Sequence, residues 1–254
     1  KTVDMQWNWI QNELNFNIEA LNTDRIKTTI SKHDPDKLFV IPKVYKDLLK
    51  EDIIVMDKLD GIPFTDIPKI KKQNENVLDC LESGVKIFIK SFLQEGFFHA
   101  DLHGGNFFLL EGNRIGLIDF GLVGNLARKS RENFIAIIYS LLTFNYENLV
   151  YEFLDVASYD KIPDVDVLIN DVREALTPFV GLTVSQTNFS QVLKSIISTL
   201  NKHEIFLPTE WFIVFRALMT LDGVGKSIGM DLDLFSILSE DIRNIVKETI
   251  TKDS

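Results

Sequence analysis

Three oxygen-bearing side chains stand at a spacing that suits chemistry on phosphate groups. Asp101 lies within the segment HADLHGGN, Asn106 ends that segment, and Asp119 opens an Asp-Phe-Gly triplet thirteen positions further on. Phosphoryl transfer requires a carboxylate near the nucleophile and oxygen ligands that hold magnesium against the phosphates. We therefore predict that Asp101 and Asn106 are catalytic residues, that Asn106 and Asp119 bind Mg²⁺, and that the nucleotide is ATP.

The spacing is more specific than any of these residues alone. Asn106 follows Asp101 by five positions and Asp119 follows Asn106 by thirteen, the same steps as in typical protein kinases. The alternative for the isolated residues is an acidic turn with a helix-capping asparagine. His99 and His103 bracket Asp101 without a third ligand of the metal-binding type, so we expect His99 to orient the loop by hydrogen bonds and predict no zinc site.

A β-hairpin is predicted between the two loops. Apolar residues at 107–110 and 115–118 flank a Glu-Gly-Asn turn at 111–113. Such a hairpin would bring Asn106 and Asp119 to one metal ion.

The rest of the chain is predicted to be mainly helical. Apolar residues at helical spacing indicate one helix or two at 3–31 and a helix at 74–95, and from residue 128 onward the pattern is almost entirely helical. Short runs rich in branched and aromatic residues at 38–45 and 52–57 predict strands, and a proline places a break or a sheet edge in the first of them.

Three further segments need an interpretation. The apolar run at 134–144 is shorter than the roughly 20 residues that a bilayer crossing requires, so we predict a buried helix and no transmembrane segment. Residues 223–227 (GVGKS) resemble a phosphate-binding loop, but Thr220 stands where that loop requires glycine, so we predict a helix end. Residues 176–182 are the best candidate for membrane contact, yet we expect them to pack into the large helical part.

The composition limits the classes of partner. The chain has 254 residues, of which 45 % are apolar, and a formal net charge of −10. Nucleic-acid binding requires a basic face, so we predict no nucleic-acid partner. The single cysteine, Cys80, excludes an internal disulfide and fits a reducing compartment.

Five separated segments, which together cover nearly the whole chain, resemble the UbiB/ADCK (ABC1-type) family of atypical kinases. Residues 98–106 (FHADLHGGN) resemble the family segment FHADPHPGN, with Leu102 and Gly104 in place of its two prolines. Residues 118–126 resemble the family's metal-binding segment, and residues 13–22 resemble its ELDFxxEAxN helix. Residues 55–63 resemble its hinge, and residues 207–210 with 216–225 resemble its late helices.

The resemblance implies a protein-kinase-like α+β fold. A partial N-lobe at residues 1–57 would precede a mainly helical C-lobe at 58–254, in which the hairpin is embedded. Glu19 would be a third catalytic residue, the helix glutamate that pairs with the ATP-contacting lysine. The nucleotide would also be contacted by the first acid of the family's acid-x-acid pair and by the hinge, namely by Glu13, Met56, Asp57, Lys58 and Leu59.

The sequence departs from the family pattern in two further respects. Asn15 stands where the family has the second acid of the pair, which removes one charge. The family's glycine- and alanine-rich nucleotide loop and its phosphate-binding lysine lie upstream of the helical region at 3–31. We therefore expect this chain to be a fragment of a longer protein.

The resemblance further implies a kinase or ATPase activity that supports isoprenoid-quinone (ubiquinone) biosynthesis. Its partners would be a nucleotide and a lipid-soluble quinone precursor or quinone-biosynthesis proteins. The protein would work on the cytoplasmic or organellar matrix side, peripheral to a membrane.

The short stretch between Gly121 and the helical pattern at Lys129 leaves no room for a peptide-docking platform. This favours an ATPase or a small-molecule kinase over an ordinary protein kinase. Two alternatives stay open: a phosphotransferase of the aminoglycoside or choline kinase type, and a catalytically impaired pseudokinase scaffold.

Overall fold

The computed structural model describes residues 15–73, 76–183, 186–229 and 232–252, with side chains described through residue 245. The chain divides into two compact units. Unit 1 comprises Lys1–Asn125 and Arg216–Leu232, and unit 2 comprises Leu126–Phe215 and Asp233–Ser254. The predicted lobe boundary between residues 57 and 58 stays a prediction. So does the role of Glu13, which lies outside the described residues.

The helices of unit 1 begin and end where their local sequence requires. Helix α1 (Phe16–Ser31) begins after Asn15, whose side-chain oxygen accepts a hydrogen bond of 3.0 Å from the backbone N–H of Asn17. Asn15 is therefore an uncharged N-cap. A short helix, α2 (Ile67–Lys71), precedes α3 (Asn76–Glu95). Helix α3 is followed by Gly96 at φ +73°, a conformation that favours glycine after a helix.

An apolar stripe holds α3 against its neighbours. Val85, Ile89 and Phe92 lie on one face of α3 and are at most 1 % exposed. Helix α3 packs against α1 and against the strand that follows it. Burying each of these side chains stabilises the fold by about 1.5 to 3 kcal/mol relative to leaving it exposed. The predicted helix at 74–95 is confirmed over the residues described.

Two small sheets carry the loops of unit 1. The strands are β1 (Phe39–Val40), β2 (Gly61–Pro63), β3 (Phe97–His99), β4 (Phe107–Leu110), β5 (Arg114–Leu117) and β6 (Val123–Asn125). One sheet has the order β1-β5-β4-β2, and β3 pairs with β6 in the other. Strands β4 and β5 are antiparallel with Leu110 opposite Arg114, which confirms the predicted hairpin.

The pairing of β3 with β6 depends on a glycine. Phe98 lies opposite Gly124, and a Cβ added at Gly124 would come within 2.2 Å of the Phe98 ring. Only a residue without a side chain leaves room for the ring against this strand. Strand β6 therefore stays close enough to β3 to position the loop that follows β3.

The strand predictions at 38–45 and 52–57 are mostly wrong. Within these two segments only Phe39–Val40 forms a strand, and the other pairings are an isolated bridge between Val44 and Met56 and one from Ile53 to Lys50. A 3₁₀ turn at Lys46–Leu48 lies between the two segments. Proline has no N–H to continue a ladder, so β1 ends before Pro42 and lies at the sheet edge, as expected for that residue.

Unit 2 is helical, as predicted. Its helices are α4 (Arg128–Leu142), α5 (Tyr146–Val156), α6 (Val165–Leu176), α7 (Phe189–Lys202), α8 (Thr209–Ser227), of which the part from Arg216 onward belongs to unit 1, and α9 (Leu234–Lys252). Asn145, Asp164 and Asn188 cap the N-termini of α5, α6 and α7 through their side-chain oxygens. The glycine-rich segment at 223–227 forms the end of α8, so the predicted helix end is confirmed.

Aromatic packing forms part of the core of unit 2. The ring of Trp211 lies 5.7 Å from that of Phe134 and 6.1 Å from that of Phe215, both in edge-to-face geometry. The burial of Phe134 confirms that the apolar run at 134–144 begins in a buried helix. Across the described ranges, none of the helices combines the length and apolar character of a membrane span.

The apolar segment at 176–182 does not pack as a whole. Leu176 is buried at the end of α6, as expected. Val180 and Leu182 are 52 % and 42 % exposed, so the prediction that they are core residues is wrong. The reason is a 3₁₀ turn at Thr177–Phe179, which ends the regular face that α6 presents to its neighbours.

Candidate active site

The catalytic loop, residues 99–106, is closed by its last residue. The Asn106 side-chain amide donates to the carbonyl of Asp101 at 2.9 Å, and the Asn106 backbone N–H donates to the carbonyl of His103 at 2.8 Å. The carbonyl of Asn106 accepts from the N–H of Ile118 at 2.9 Å. Asn106 therefore fixes the loop that carries Asp101 and ties it to the residue before Asp119.

His99 orients the same loop from within the protein. It is 1 % exposed, its Nδ1 accepts from the Asp101 N–H at 3.1 Å, and its Nε2 lies 3.3 Å from the carbonyl of Ile118. This arrangement requires a neutral ring with the proton on Nε2. Burial lowers the pKa of His99, because a charged imidazolium would be desolvated, and the nearby carbonyl and carboxylates oppose this effect. The predicted orienting role is confirmed.

Asp119 has an unusual backbone conformation. Its φ is +61°, and its carboxylate accepts a hydrogen bond of 3.3 Å from the N–H of Gly121. Residues other than glycine rarely adopt this region, and such conformations cluster at functional sites. The side chain is exposed, so the carboxylate is available to a ligand.

Helix α1 holds the Asp-Phe-Gly segment from its other side. Glu19 accepts a hydrogen bond of 3.3 Å from the Phe120 N–H, and the Asn22 amide donates to the Phe120 carbonyl at 3.0 Å. Burial raises the pKa of Glu19, the negative charge of Asp119 raises it further, and the bond from Phe120 opposes both. Glu19 thus lies at the site, as the family resemblance implies. Asn22 was only part of a matching segment and had no predicted role.

Arg216 is a site residue that the sequence analysis did not identify. Its Nη2 donates to the carbonyl of Ala100 at 3.0 Å and lies 3.5 Å from the Asp101 carboxylate. The ring of His103 lies 3.8 Å from the same carboxylate. Arg216 therefore both supports the loop and places a positive charge beside Asp101. Its segment resembles a late helix of the family, but a contact across 115 positions leaves no local pattern.

The hinge segment, residues 56–59, is held by one backbone hydrogen bond, by exposed side-chain pairs and by packing against the hairpin. The Asp57 N–H donates to the carbonyl of Lys43 at 3.0 Å, and the Asp57 carboxylate accepts from the Tyr45 hydroxyl at 2.8 Å. Lys58 pairs on the surface with Asp60 at 2.7 Å. A Cβ at Gly116 of the hairpin would lie 2.8 Å from a Leu59 methyl, so Leu59 rests on the hairpin. Nucleotide contacts by Met56, Asp57, Lys58 and Leu59 stay predictions.

The donor atoms fit magnesium better than a softer metal. The amide nitrogen of Asn106 is committed to the loop, which leaves its oxygen for a cation, and Asp119 offers a carboxylate. Among the residues that the structure describes, no three His, Cys, Asp or Glu side chains gather into a metal site. A site with few protein oxygens that completes its shell with phosphate and water is typical of Mg²⁺ and not of Zn²⁺.

Known proteins resemble the chain in both fold and sequence. The solved structure of the Rv3197–erythromycin complex from Mycobacterium tuberculosis superposes with a TM-score of 0.61 at 19 % identity, covering 92 % of this chain and 60 % of that one. The predicted kinase-like α+β fold is confirmed by this similarity together with the family match below.

Bacterial relatives match over most of the chain. Two proteins named "Probable protein kinase UbiB" are each 28 % identical to it. The one from Serratia proteamaculans matches over 88 % of this chain and 41 % of its own length, and the one from Aeromonas salmonicida over 95 % and 44 %. The chain therefore spans less than half the length of these curated relatives.

Two family profiles match in succession. The ABC1 atypical kinase-like domain matches residues 1–153, and the UbiB helical domain matches residues 172–233. The first match covers more than half of the chain and includes Asp101, Asn106 and Asp119. The chain belongs to the ABC1 atypical kinase-like family.

Proposed function

We propose that this chain carries the catalytic loops of a magnesium- and ATP-dependent enzyme, a kinase or ATPase of the atypical type. The observation that carries the proposal is the hydrogen-bonded closure of the catalytic loop, in which Asn106 joins Asp101 to the strand end that precedes Asp119. Polar side chains that are bound to their own loop and still present free oxygens are arranged for a ligand.

The proposed roles follow from the chemistry of each group. Asp101 accepts the proton of the attacking hydroxyl or water. Asn106 and Asp119 hold magnesium, which when bound neutralises charge on the phosphates. Glu19 orients the Asp-Phe-Gly segment and offers a carboxylate to a phosphate-contacting lysine. The hinge segment holds the adenine through its backbone.

The acceptor is proposed to be water or a small molecule. Strand β6 begins two residues after Gly121 and pairs with β3, and α4 begins at Arg128. Ordinary protein kinases place a long activation segment at this point to dock a peptide, and the chain between Gly121 and Arg128 is too short for one. This favours ATPase or small-molecule phosphotransfer chemistry, although the relatives carry the name protein kinase.

We further propose that the activity supports isoprenoid-quinone (ubiquinone) biosynthesis, as the resemblance to the UbiB family implies. The partners would be a lipid-soluble quinone precursor or proteins of that biosynthesis. The proposed location is the cytoplasmic or organellar matrix side of a membrane, in peripheral contact with it.

A thermal-shift experiment tests the central proposal. ATP should raise the Tm of the chain in the presence of Mg²⁺ and much less in the presence of EDTA, because ligand binding stabilises the folded state. Asp119→Asn should abolish the magnesium-dependent part of the shift. Asp160→Asn, an exposed aspartate of unit 2, is the matched control and should retain it.

Two outcomes would contradict the proposal. A chain whose Tm does not respond to ATP with Mg²⁺ would favour the pseudokinase scaffold. An Asp119→Asn variant with the parental shift would remove Asp119 from the metal site.

A further inference from the structure

Leu182, one of the exposed apolar residues after α6, lines a cavity in unit 2. The cavity has a volume of about 120 Å³ and is lined by apolar residues from α4, α6, α7, α9 and the loop after α6, with Thr187 and Arg243 as its polar members. An engineered cavity of similar size, about 150 Å³, is known to stay dry and to bind benzene. This cavity is therefore large enough for a ring or a short alkyl chain.

Arg243 distinguishes this cavity from simple packing defects. It is the one charged side chain among the lining residues, it is exposed, and no carboxylate pairs with it among the side chains described. Another cavity of unit 2 measures about 20 Å³ and is lined entirely by apolar side chains. A guanidinium at the edge of an apolar cavity can attract a carboxylate through charge-assisted hydrogen bonds.

The conformation of Phe144 is a second observation that points to a ligand in this cavity. It follows the end of α4 with φ +53°, and its N–H donates to the carbonyl of Leu141 at 3.2 Å. Glycine is the usual residue in this left-handed position, and a bulky side chain there is an outlier. The ring nevertheless lines the cavity and is 49 % exposed, so burial in the fold does not account for it.

We propose that this cavity binds an amphipathic carboxylate, with the apolar part inside and the carboxylate on Arg243. The apolar part is about the size of a benzene ring or a chain of six to eight carbons. The site lies wholly within unit 2 and does not depend on the proposed activity of the catalytic loop.

Calorimetric titration of the chain with octanoate, and with octanol as the uncharged counterpart, tests the proposal. Octanoate should bind saturably and more tightly than octanol. Arg243→Gln should weaken octanoate binding by about ten-fold, since a charge-assisted hydrogen bond is lost, and should leave octanol binding unchanged. Lys194→Gln, which removes an exposed positive charge of α7 away from the cavity, is the matched control and should bind both ligands as the parent does.

Phe144→Gly separates a ligand role from a structural one. Glycine relieves the left-handed backbone, so the Tm should be unchanged or higher, while both ligands should bind more weakly because one wall of the cavity is lost. The proposal is overturned if octanoate shows no saturable binding, if it binds Arg243→Gln as well as the parent, or if octanol binds as tightly as octanoate.

Discussion

The catalytic loop and the hinge segment of unit 1 use their polar atoms in opposite ways. In the catalytic loop, Asn106 and His99 are buried and spend their side-chain atoms on the backbone around Asp101 and Ile118. In the hinge segment, the side chains of Asp57 and Lys58 are exposed and pair only with other exposed side chains, Tyr45 and Asp60, while the Asp57 N–H bonds the Lys43 carbonyl. Residue identity therefore matters in the loop, whereas in the hinge the backbone path matters more than the side chains.

The strongest way to test this contrast is to remove the proposed catalytic carboxylate. Asp101→Asn should reduce the rate of ATP hydrolysis by about 10² to 10⁴, the usual contribution of a general base. It should leave magnesium-dependent ATP affinity within about two-fold, because a base acts on the nucleophile and not on bound ATP. Steady-state hydrolysis and calorimetry on the same protein measure both. A variant that turns over at the parental rate would exclude Asp101 from the mechanism.

The second test compares the stability of the two regions. Asn106→Ala should lower the free energy of unfolding by about 2 kcal/mol, since it removes a buried side chain whose amide donates to the Asp101 carbonyl. Lys58→Ala in the hinge should leave it almost unchanged, because an exposed ion pair contributes little. Urea denaturation measures both values. Equal losses in the two variants would contradict the contrast.

The third test concerns pH. The folded state depresses the pKa of His99, so the unfolded state binds the proton more readily, and stability falls as pH drops below the usual value of 6.5. The contribution of one such group is at most about 1.4 kcal/mol per pH unit.

His99→Asn should therefore flatten the dependence of unfolding free energy on pH between about 5 and 7. Asn106→Ala loosens the same loop without removing a titratable group, and it serves as the control that should keep the parental slope. A parental slope in His99→Asn would show that another group causes the dependence.

The smallest effect is expected at Glu19. Its raised pKa means that the ionised carboxylate is less favourable in the folded state, a penalty that is present above its folded pKa and absent below the usual value of 4.5. Glu19→Gln keeps an oxygen for the Phe120 N–H and removes the charge. Without nucleotide, it should stabilise the chain at neutral pH and raise its Tm slightly, because the buried charge is removed.

The gain from Glu19→Gln should shrink as the pH approaches 4.5, which thermal melts at several pH values would show. A variant that is less stable than the parent at neutral pH would mean that Glu19 contributes favourably to the fold despite its burial.

The sequence was a good guide to the loop because its chemistry demands particular residues at particular separations. The hairpin, the orienting role of His99 and the helical nature of unit 2 could all be predicted from short-range patterns. Asn22 and Arg216 could not, since their partners lie 98 and about 115 positions away and no local pattern encodes them. The strand prediction at 52–57 failed because branched residues such as Ile53, which is 44 % exposed, can lie in an open loop.

The left-handed backbone of Asp119 restricts which residues can replace it during evolution. Aspartate and asparagine tolerate φ +61°, whereas glutamate keeps the charge but has no such preference. The backbone conformation and the negative charge therefore constrain this position separately. A homologue that no longer binds the metal can carry asparagine here and still fold. In a saturation library, variants at this position should separate into a folded class without magnesium binding and a class lost to misfolding, with aspartate alone retaining both properties.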